Sequence, residues 1–236
     1  MQERGWLTQR FEKALQNGWE IPDYQGLFDE IELDLDCQAI CPTTDNVFKA
    51  FELLRPEDVK YVILGQDPYW QTAENDGLPI ATGLAFGVRQ RDGLHHATAI
   101  NKIMPKIYQY RPDHEWDWTL ESWAKNYKIL LLNTALTVPM PKQGESGREK
   151  SANKHLPHWK EFTQAALSIL RDSQSQLSTN DRFKCFAWGK KAMTAFEEAR
   201  LPPLFAYHPC ASVTGPGSFN DFWEQDYGKR LIVPKS

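Results

Sequence analysis

A sheet with one wet face cannot carry Tyr61-Val62-Ile63-Leu64 or Ile129-Leu130-Leu131-Leu132. Successive strand side chains point to opposite faces, so such a sheet needs apolar and polar residues to alternate. These two runs do not alternate, and each is shorter than an ordinary helix. They predict strands buried on both sides. Lys184-Cys185-Phe186-Ala187-Trp188 reads as a third strand and Leu204-Phe205-Ala206-Tyr207 as a fourth.

Helical stripes separate these strands. Leu7, Phe11, Ala14 and Leu15 keep helical spacing up to Gly18. Val47, Phe48, Phe51 and Leu54 do the same between a Thr44 or Asp45 cap and Pro56. Ile100, Ile103 and Ile107 follow Thr98. Leu156, Trp159, Phe162, Ala166 and Leu170 mark the longest helix, and Ala192, Met193, Phe196 and Ala199 mark the one after the third strand. Strand and helix in alternation predict an α/β fold. Its expected form is a three-layer sandwich with a central four-stranded parallel sheet. The 236 residues, 41% of them hydrophobic, can bury a large core without staples, and this composition excludes extended disorder. A single domain over 1–236 is expected, with 1–36 as an acidic N-terminal helical extension.

No apolar run approaches the ~20 residues that cross a bilayer. Met1 to Arg10 contain no apolar signal region. Four cysteines, Cys37, Cys41, Cys185 and Cys210, are too few for a disulfide scaffold. A cytoplasmic, reduced, monomeric protein with no membrane partner is expected. The net charge of −4 argues at first against a nucleic-acid partner. That average hides an asymmetry. Residues 1–36 hold nine acidic and three basic side chains, whereas the rest holds 24 basic against 22 acidic, a net +2.

In parallel α/β sheets, ligands bind beyond the carboxyl ends of the strands. Gly65-Gln66-Asp67-Pro68-Tyr69 follows the first strand, and Asn133-Thr134-Ala135-Leu136-Thr137 the second. Gly189-Lys190-Lys191 follows the third and His208-Pro209-Cys210 the fourth. Taken singly, Asp67 reads as a turn aspartate, Asn133 as a strand-end residue and His208 as a loop histidine. Together, an acid, an amide, a basic loop and an imidazole converge on one sheet edge. That set can hold and charge-stabilise one small planar ligand.

Here the sequence resembles the family 1 uracil-DNA glycosylases. The resemblance rests on Gly65-Gln66-Asp67-Pro68-Tyr69, Gly83-Leu84-Ala85-Phe86, Leu120-Glu121-Ser122-Trp123-Ala124, Leu130 to Val138, Trp188-Gly189 and His208-Pro209, in family order from about residue 44 onward. It implies a compact α/β fold with a central parallel sheet. It also implies hydrolysis of the bond between uracil and deoxyribose, with no metal or redox cofactor. Asp67 would hold the attacking water and stabilise the cationic sugar. His208 would stabilise the departing uracil anion, working as a neutral donor. Asn133 would read the N3 and O4 edge, whose pattern cytosine reverses. Phe86 would stack on the flipped base. Tyr69 would exclude the thymine methyl group. Gln66 would line the pocket through its backbone.

The departures from the family lie in the loops that grip DNA. Trp70 stands where the family has His. Thirteen residues, 70–82, separate Tyr69 from Gly83, more than the family norm. His95-His96-Ala97-Thr98 replaces a proline-rich loop. Lys190 replaces a serine. The family's wedge leucine aligns with Ser212, with Val213 the nearest apolar substitute. Base flipping costs least in single-stranded or mispaired DNA. A weak wedge therefore predicts a preference for uracil in such DNA. Trp70, Lys190, Lys191, Ser212 and Val213 are the candidate DNA contacts, with Lys142, Arg148, Lys150 and Lys154 as a further basic run. The modest charge predicts a weak, salt-sensitive grip on DNA.

Cys37-x3-Cys41 is too loosely spaced to predict an iron–sulfur cluster, and Cys185 lies inside a strand. Two other readings stay open on sequence alone. One is a glycosylase acting on another modified base in foreign DNA. The other is a catalytically silent binder of DNA or protein, although such a binder has no need of both Asp67 and His208.

Overall fold

A computed structural model describes residues 5–34, 39–89, 99–112, 117–140, 155–225, 228 and 231. Cys37, the segment 95–98 and the basic run Lys142, Arg148, Lys150 and Lys154 lie outside the described residues. The chain begins with helices α1 (Trp6–Gln16) and α2 (Tyr24–Asp34), then a short strand β1 (Ile40–Cys41). A 3-10 turn at Thr44–Asn46 leads into α3 (Lys49–Leu53) and then β2 (Tyr61–Gly65). Helices α4 (Ile100–Tyr110) and α5 (Glu121–Tyr127) precede β3 (Ile129–Asn133) and the short β4 (Val138–Pro139). Helix α6 (Leu156–Ser173), β5 (Lys184–Trp188), α7 (Lys190–Glu198), β6 (Pro203–Ala206) and α8 (Phe219–Glu224) complete the order.

The sheet runs β3-β2-β5-β6, and all three neighbouring pairs are parallel. β2 and β3, which carry the unbroken apolar runs, lie side by side, in register from Tyr61 against Ile129 to Gly65 against Asn133. Every residue of β3 is buried, as are the last four of β2 and of β5. Burial on both faces requires helical cover on both faces. Phe186 and Trp188, two apart and therefore on one face, meet Phe219, Phe222 and Trp223 of α8. β1 and β4 form a separate antiparallel pair.

Local differences from the sequence reading have simple causes. Neither Thr44 nor Asp45 caps α3 through its side chain. The 3-10 turn takes that place, and the helix starts after Phe48. The fourth strand lies one residue earlier than its apolar run suggests, because Tyr207 turns out to donate to the Gly217 carbonyl at 2.9 Å. Within the segment expected to be helical, α2 follows α1, and Tyr24, Phe28 and Ile31 give it an apolar face.

The acidic N-terminal segment is joined to the rest by aromatic packing. The Phe11 ring lies 4.9–6.3 Å from the rings of Tyr24, Phe28, Phe48, Phe51 and Phe162. The Trp19 indole donates to the Leu54 carbonyl at 2.8 Å. Glu32 accepts the Leu7 backbone N–H at 2.5 Å, filling an orphan donor at the start of α1. Among the described residues, five tryptophans, Trp19, Trp123, Trp159, Trp188 and Trp223, are fully buried.

Candidate active site

The pocket is assembled from the ends of β2 and β3 outward. Gly65 and Asn133 are register partners at those ends. A Cβ on residue 65 would sit 2.2 Å from Asn133 Oδ1 and 3.1 Å from the Ala85 Cβ. Only a glycine lets the Asn133 amide lie across the strand next to it. Asn133 itself is buried. Ala85 donates its N–H to the Leu131 carbonyl at 3.0 Å, which fastens the following residue, Phe86, over the same strand.

Phe86 has φ of 67°, in the left-handed region. An aromatic residue there costs about 1–3 kcal/mol unless its surroundings fix it, and such residues cluster at functional sites. Its ring sits 5.5 Å from Trp188 and 6.1 Å from His208. Phe86 therefore packs on core on one side and faces the imidazole on another.

Gln66 and Asp67 leave β2 together. The Gln66 backbone carbonyl accepts from the Ala135 N–H and from the Thr134 hydroxyl, both at 2.9 Å. That carbonyl is thus committed to the neighbouring strand end. The Gln66 side-chain amide donates to Asp67 Oδ2 at 2.5 Å. The Thr134 carbonyl in turn accepts from Thr163 of α6 at 3.0 Å. Three hydrogen bonds therefore run from α6 through the β3 end to the turn that carries Asp67. Thr134 and Thr163 carry no sequence signal for this role, because the contact spans 29 residues. Tyr69 is half-buried. Its hydroxyl accepts the Ile100 N–H at 3.2 Å, at the start of α4, and burial pushes the phenol pKa upward.

His208 opens a loop closed by the Tyr207–Gly217 hydrogen bond, and its carbonyl accepts from Ala211 at 2.8 Å. The Cys210 backbone N–H donates to His208 Nδ1 at 3.2 Å. A neutral ring held this way carries its proton on Nε2, so the free edge of the imidazole is a donor. The ring is partly open to solvent, while the protein packed around it disfavours imidazolium and holds its pKa below the ordinary histidine value. Both facts favour a neutral donor. Gly189 lies beneath it with φ of 119°, and a Cβ there would come 3.4 Å from the His208 Cβ.

The structure thus brings Gln66, Asp67, Phe86, Asn133 and His208 to one sheet edge, with Tyr69 anchored against α4. The outer candidates are spread around it. Trp70 is half-buried, and its carbonyl accepts from the Cys41 thiol at 3.4 Å. The 70–82 insert is an ordered hairpin-like loop, with bridges Thr72–Pro79 and Ala81–Val88. Arg89 grips its turn through a two-bond contact to Asp76 at 2.7 and 2.8 Å. Lys190 and Lys191 are exposed in the first turn of α7 rather than in a free loop. Ser212 is exposed and Val213 half-buried, four and five residues beyond His208. Cys41 and Cys185 are buried, which pushes both thiols up to about 12, and Cys210 is exposed. Among the described residues, no three His, Cys, Asp or Glu side chains gather as ligands for a metal.

The chain is similar to known proteins in sequence and in fold. Residues 51–232 fit the sequence model of the Uracil DNA glycosylase superfamily, a span that includes every candidate site residue. The chain is 30% identical over 218 residues to a uracil-DNA glycosylase of Bacillus cytotoxicus, covering 88% of this chain and 87% of that protein. It is 31% identical over 224 residues to one of Idiomarina loihiensis, covering 89% and 93%. Among solved structures, the mimivirus uracil-DNA glycosylase superposes with a TM-score of 0.69 at 20% identity, over 94% of this chain and 81% of that one. The enzyme from Nitratifractor salsuginis gives 0.58 at 19% identity, over 96% and 98%.

Proposed function

The chain belongs to the uracil DNA glycosylase superfamily, and we infer from that membership that it hydrolyses the N-glycosidic bond of uracil in DNA, leaving an abasic site for base excision repair. The observation that carries this is the family match across 51–232, because that span holds all six residues proposed for the pocket.

In the reaction, the C1′–N1 bond breaks and its electron pair leaves with uracil. Positive charge builds on the sugar and negative charge on the base. The proposed roles follow from that separation. Asp67 supplies the fixed negative charge beside the sugar and orients the water whose oxygen bonds C1′, the proton passing to the carboxylate or to solvent. His208, with its proton on Nε2, donates to the departing uracil oxygen. Charge created between fixed dipoles in a poorly hydrated site is stabilised without reorganisation, which lowers the barrier. Asn133, held buried and across from Gly65, reads the uracil edge. Phe86 supplies the stacking face and Tyr69 the wall against a C5 methyl. The Gln66 amide holds Asp67 in place.

Trp70, Lys190, Lys191, Ser212 and Val213 are proposed as DNA contacts. The exposed Ser212 at the wedge position supports a preference for single-stranded or mispaired uracil. We read the enzyme as one domain, monomeric and cytoplasmic. Among the described residues no helix is long and apolar enough to cross a membrane. One assay tests the reading. Uracil-containing single- and double-stranded oligonucleotides are incubated with the protein or with Asp67→Asn, then treated with alkali. Strand cleavage by the wild type, largely lost in the variant, is expected. Binding without cleavage by the wild type would overturn it.

A further inference from the structure

Beside the pocket, between α6 and α7, lies a groove of about 340 Å³. Its walls include Leu156, Lys160, Gln164, Lys191, Thr194 and Ala195. The volume falls in the range of small-ligand sites. We propose that this groove is a second nucleotide subsite, taking one unpaired nucleotide of the strand whose uracil enters the pocket. The proposal rests on the reading above that the substrate is DNA.

Three observations carry it. The first is position. Thr134 lines the groove and directly follows Asn133, while Lys190 lines it and directly follows Gly189, over which His208 sits. The groove lining is therefore one residue along the chain from the candidate pocket at two places. A strand with one base in the pocket has its neighbouring nucleotide there.

The second is charge. Lys190 and Lys191 stand at the pocket end. At the other end Glu198 accepts from Lys160 at 2.9 Å and from the Gln164 amide at 3.4 Å. The Lys160–Glu198 ion pair leaves that end with little net charge, so a phosphate is drawn to the Lys190–Lys191 end. Gln164 and Glu198 then face whatever extends inward. The third is the wall chemistry. Leu156, Ala195, the threonine methyls and the aliphatic lysine stems make apolar sides with a polar far end. A nucleobase has this pattern, with flat apolar faces and a hydrogen-bonding edge. A paired, stacked base in a duplex cannot enter. The groove therefore favours single strands independently of the wedge loop.

The test measures binding separately from cleavage. Uracil-free single-stranded oligonucleotides, lengthened one nucleotide at a time, are titrated by fluorescence anisotropy against the wild type, Thr194→Trp and Lys191→Glu. Thr194 is an exposed position on α7, so an indole there fills the groove, and matching unfolding midpoints confirm that the variants fold. The expected result is one step in length that tightens wild-type binding about tenfold, absent in both variants. Equal length dependence in Thr194→Trp and the wild type overturns the subsite. So does loss in Lys191→Glu alone, which would make the lysines plain phosphate contacts with no base in the groove. Uracil release is assayed in parallel on the wild type. No release, with the length step present and lost in Thr194→Trp, overturns the enzymatic reading and leaves the nucleotide subsite standing.

Discussion

The strand-end pocket and the loops around it are built by different means. In the pocket, position is set from below. Gly65, lacking a Cβ, leaves the space that the Asn133 amide fills, the Gln66 carbonyl accepts two hydrogen bonds, and Phe86 is held in a left-handed backbone over β3. In the outer loops, position is set by exposed contacts, such as Arg89 on Asp76, and the wedge position is an exposed serine. Surface ion pairs are weak constraints. The chemistry needs fixed geometry, because about 1 Å of misplacement can cost 10²-fold in rate. Grip on a flexible polymer tolerates much more. That contrast fits the resemblance, whose matching motifs lie at the strand ends and whose departures lie in the outer loops.

Several changes would break or sharpen this contrast. Asp67→Asn removes the charge beside the sugar and is expected to lower kcat at least 10²–10³-fold, roughly what a lost charge-stabilising group costs. Single-turnover rates should fall equally on single-stranded and duplex DNA, and a loss confined to duplex would place Asp67 with the periphery. Gly65→Ala touches no substrate, yet should cost roughly 10²-fold in kcat/KM by displacing the Asn133 amide. Near-wild-type activity would show that the strand ends are softer than argued.

Ser212→Leu addresses the other region. It should raise the ratio of duplex to single-strand kcat/KM about tenfold, since flipping costs a few kcal/mol and each ~1.4 kcal/mol is tenfold. An unchanged ratio would remove the wedge from the account. The pH profile probes His208. Its pKa lies below the ordinary 6.5, so the ring is neutral at pH 7 and becomes charged only as pH falls further. Activity should hold at neutrality and decline only as pH falls below the ordinary histidine range, and this acid limb should be missing in His208→Asn. A limb centred above 6.5 would contradict the lowered pKa. Smallest in effect, Thr163→Val leaves the Thr134 carbonyl short of a partner. It should cost about 1 kcal/mol of stability, read by urea unfolding, with a few-fold fall in kcat and little change in KM. A KM change alone would detach α6 from Asp67.

Much of this was legible in the residues. The unbroken runs at 61–64 and 129–132 announce parallel strands buried on both faces, and the polar residues after each strand mark the ligand edge. The longest helix and the helix after the third strand lie where their stripes place them. Other features left no trace in sequence. Gly65 reads as a strand terminator, and only its 2.2 Å approach to the Asn133 amide shows it to be a positioning residue. Lys190 and Lys191 read as loop lysines, and they are the first turn of a helix that walls a groove.

What the sequence determined by itself is local. Apolar runs that must be buried on both faces need a covered parallel sheet, and the chemistry-bearing residues fall at the ends of its strands. What only the tertiary structure decided is which of those ends become neighbours. The order β3-β2-β5-β6 sets Asn133 beside Gly65 and His208 above Gly189, and the Cys210 N–H selects the imidazole tautomer. Strand pairing, close approach and hydrogen-bond direction depend on contacts between residues far apart in the chain, and no local pattern of side chains encodes them.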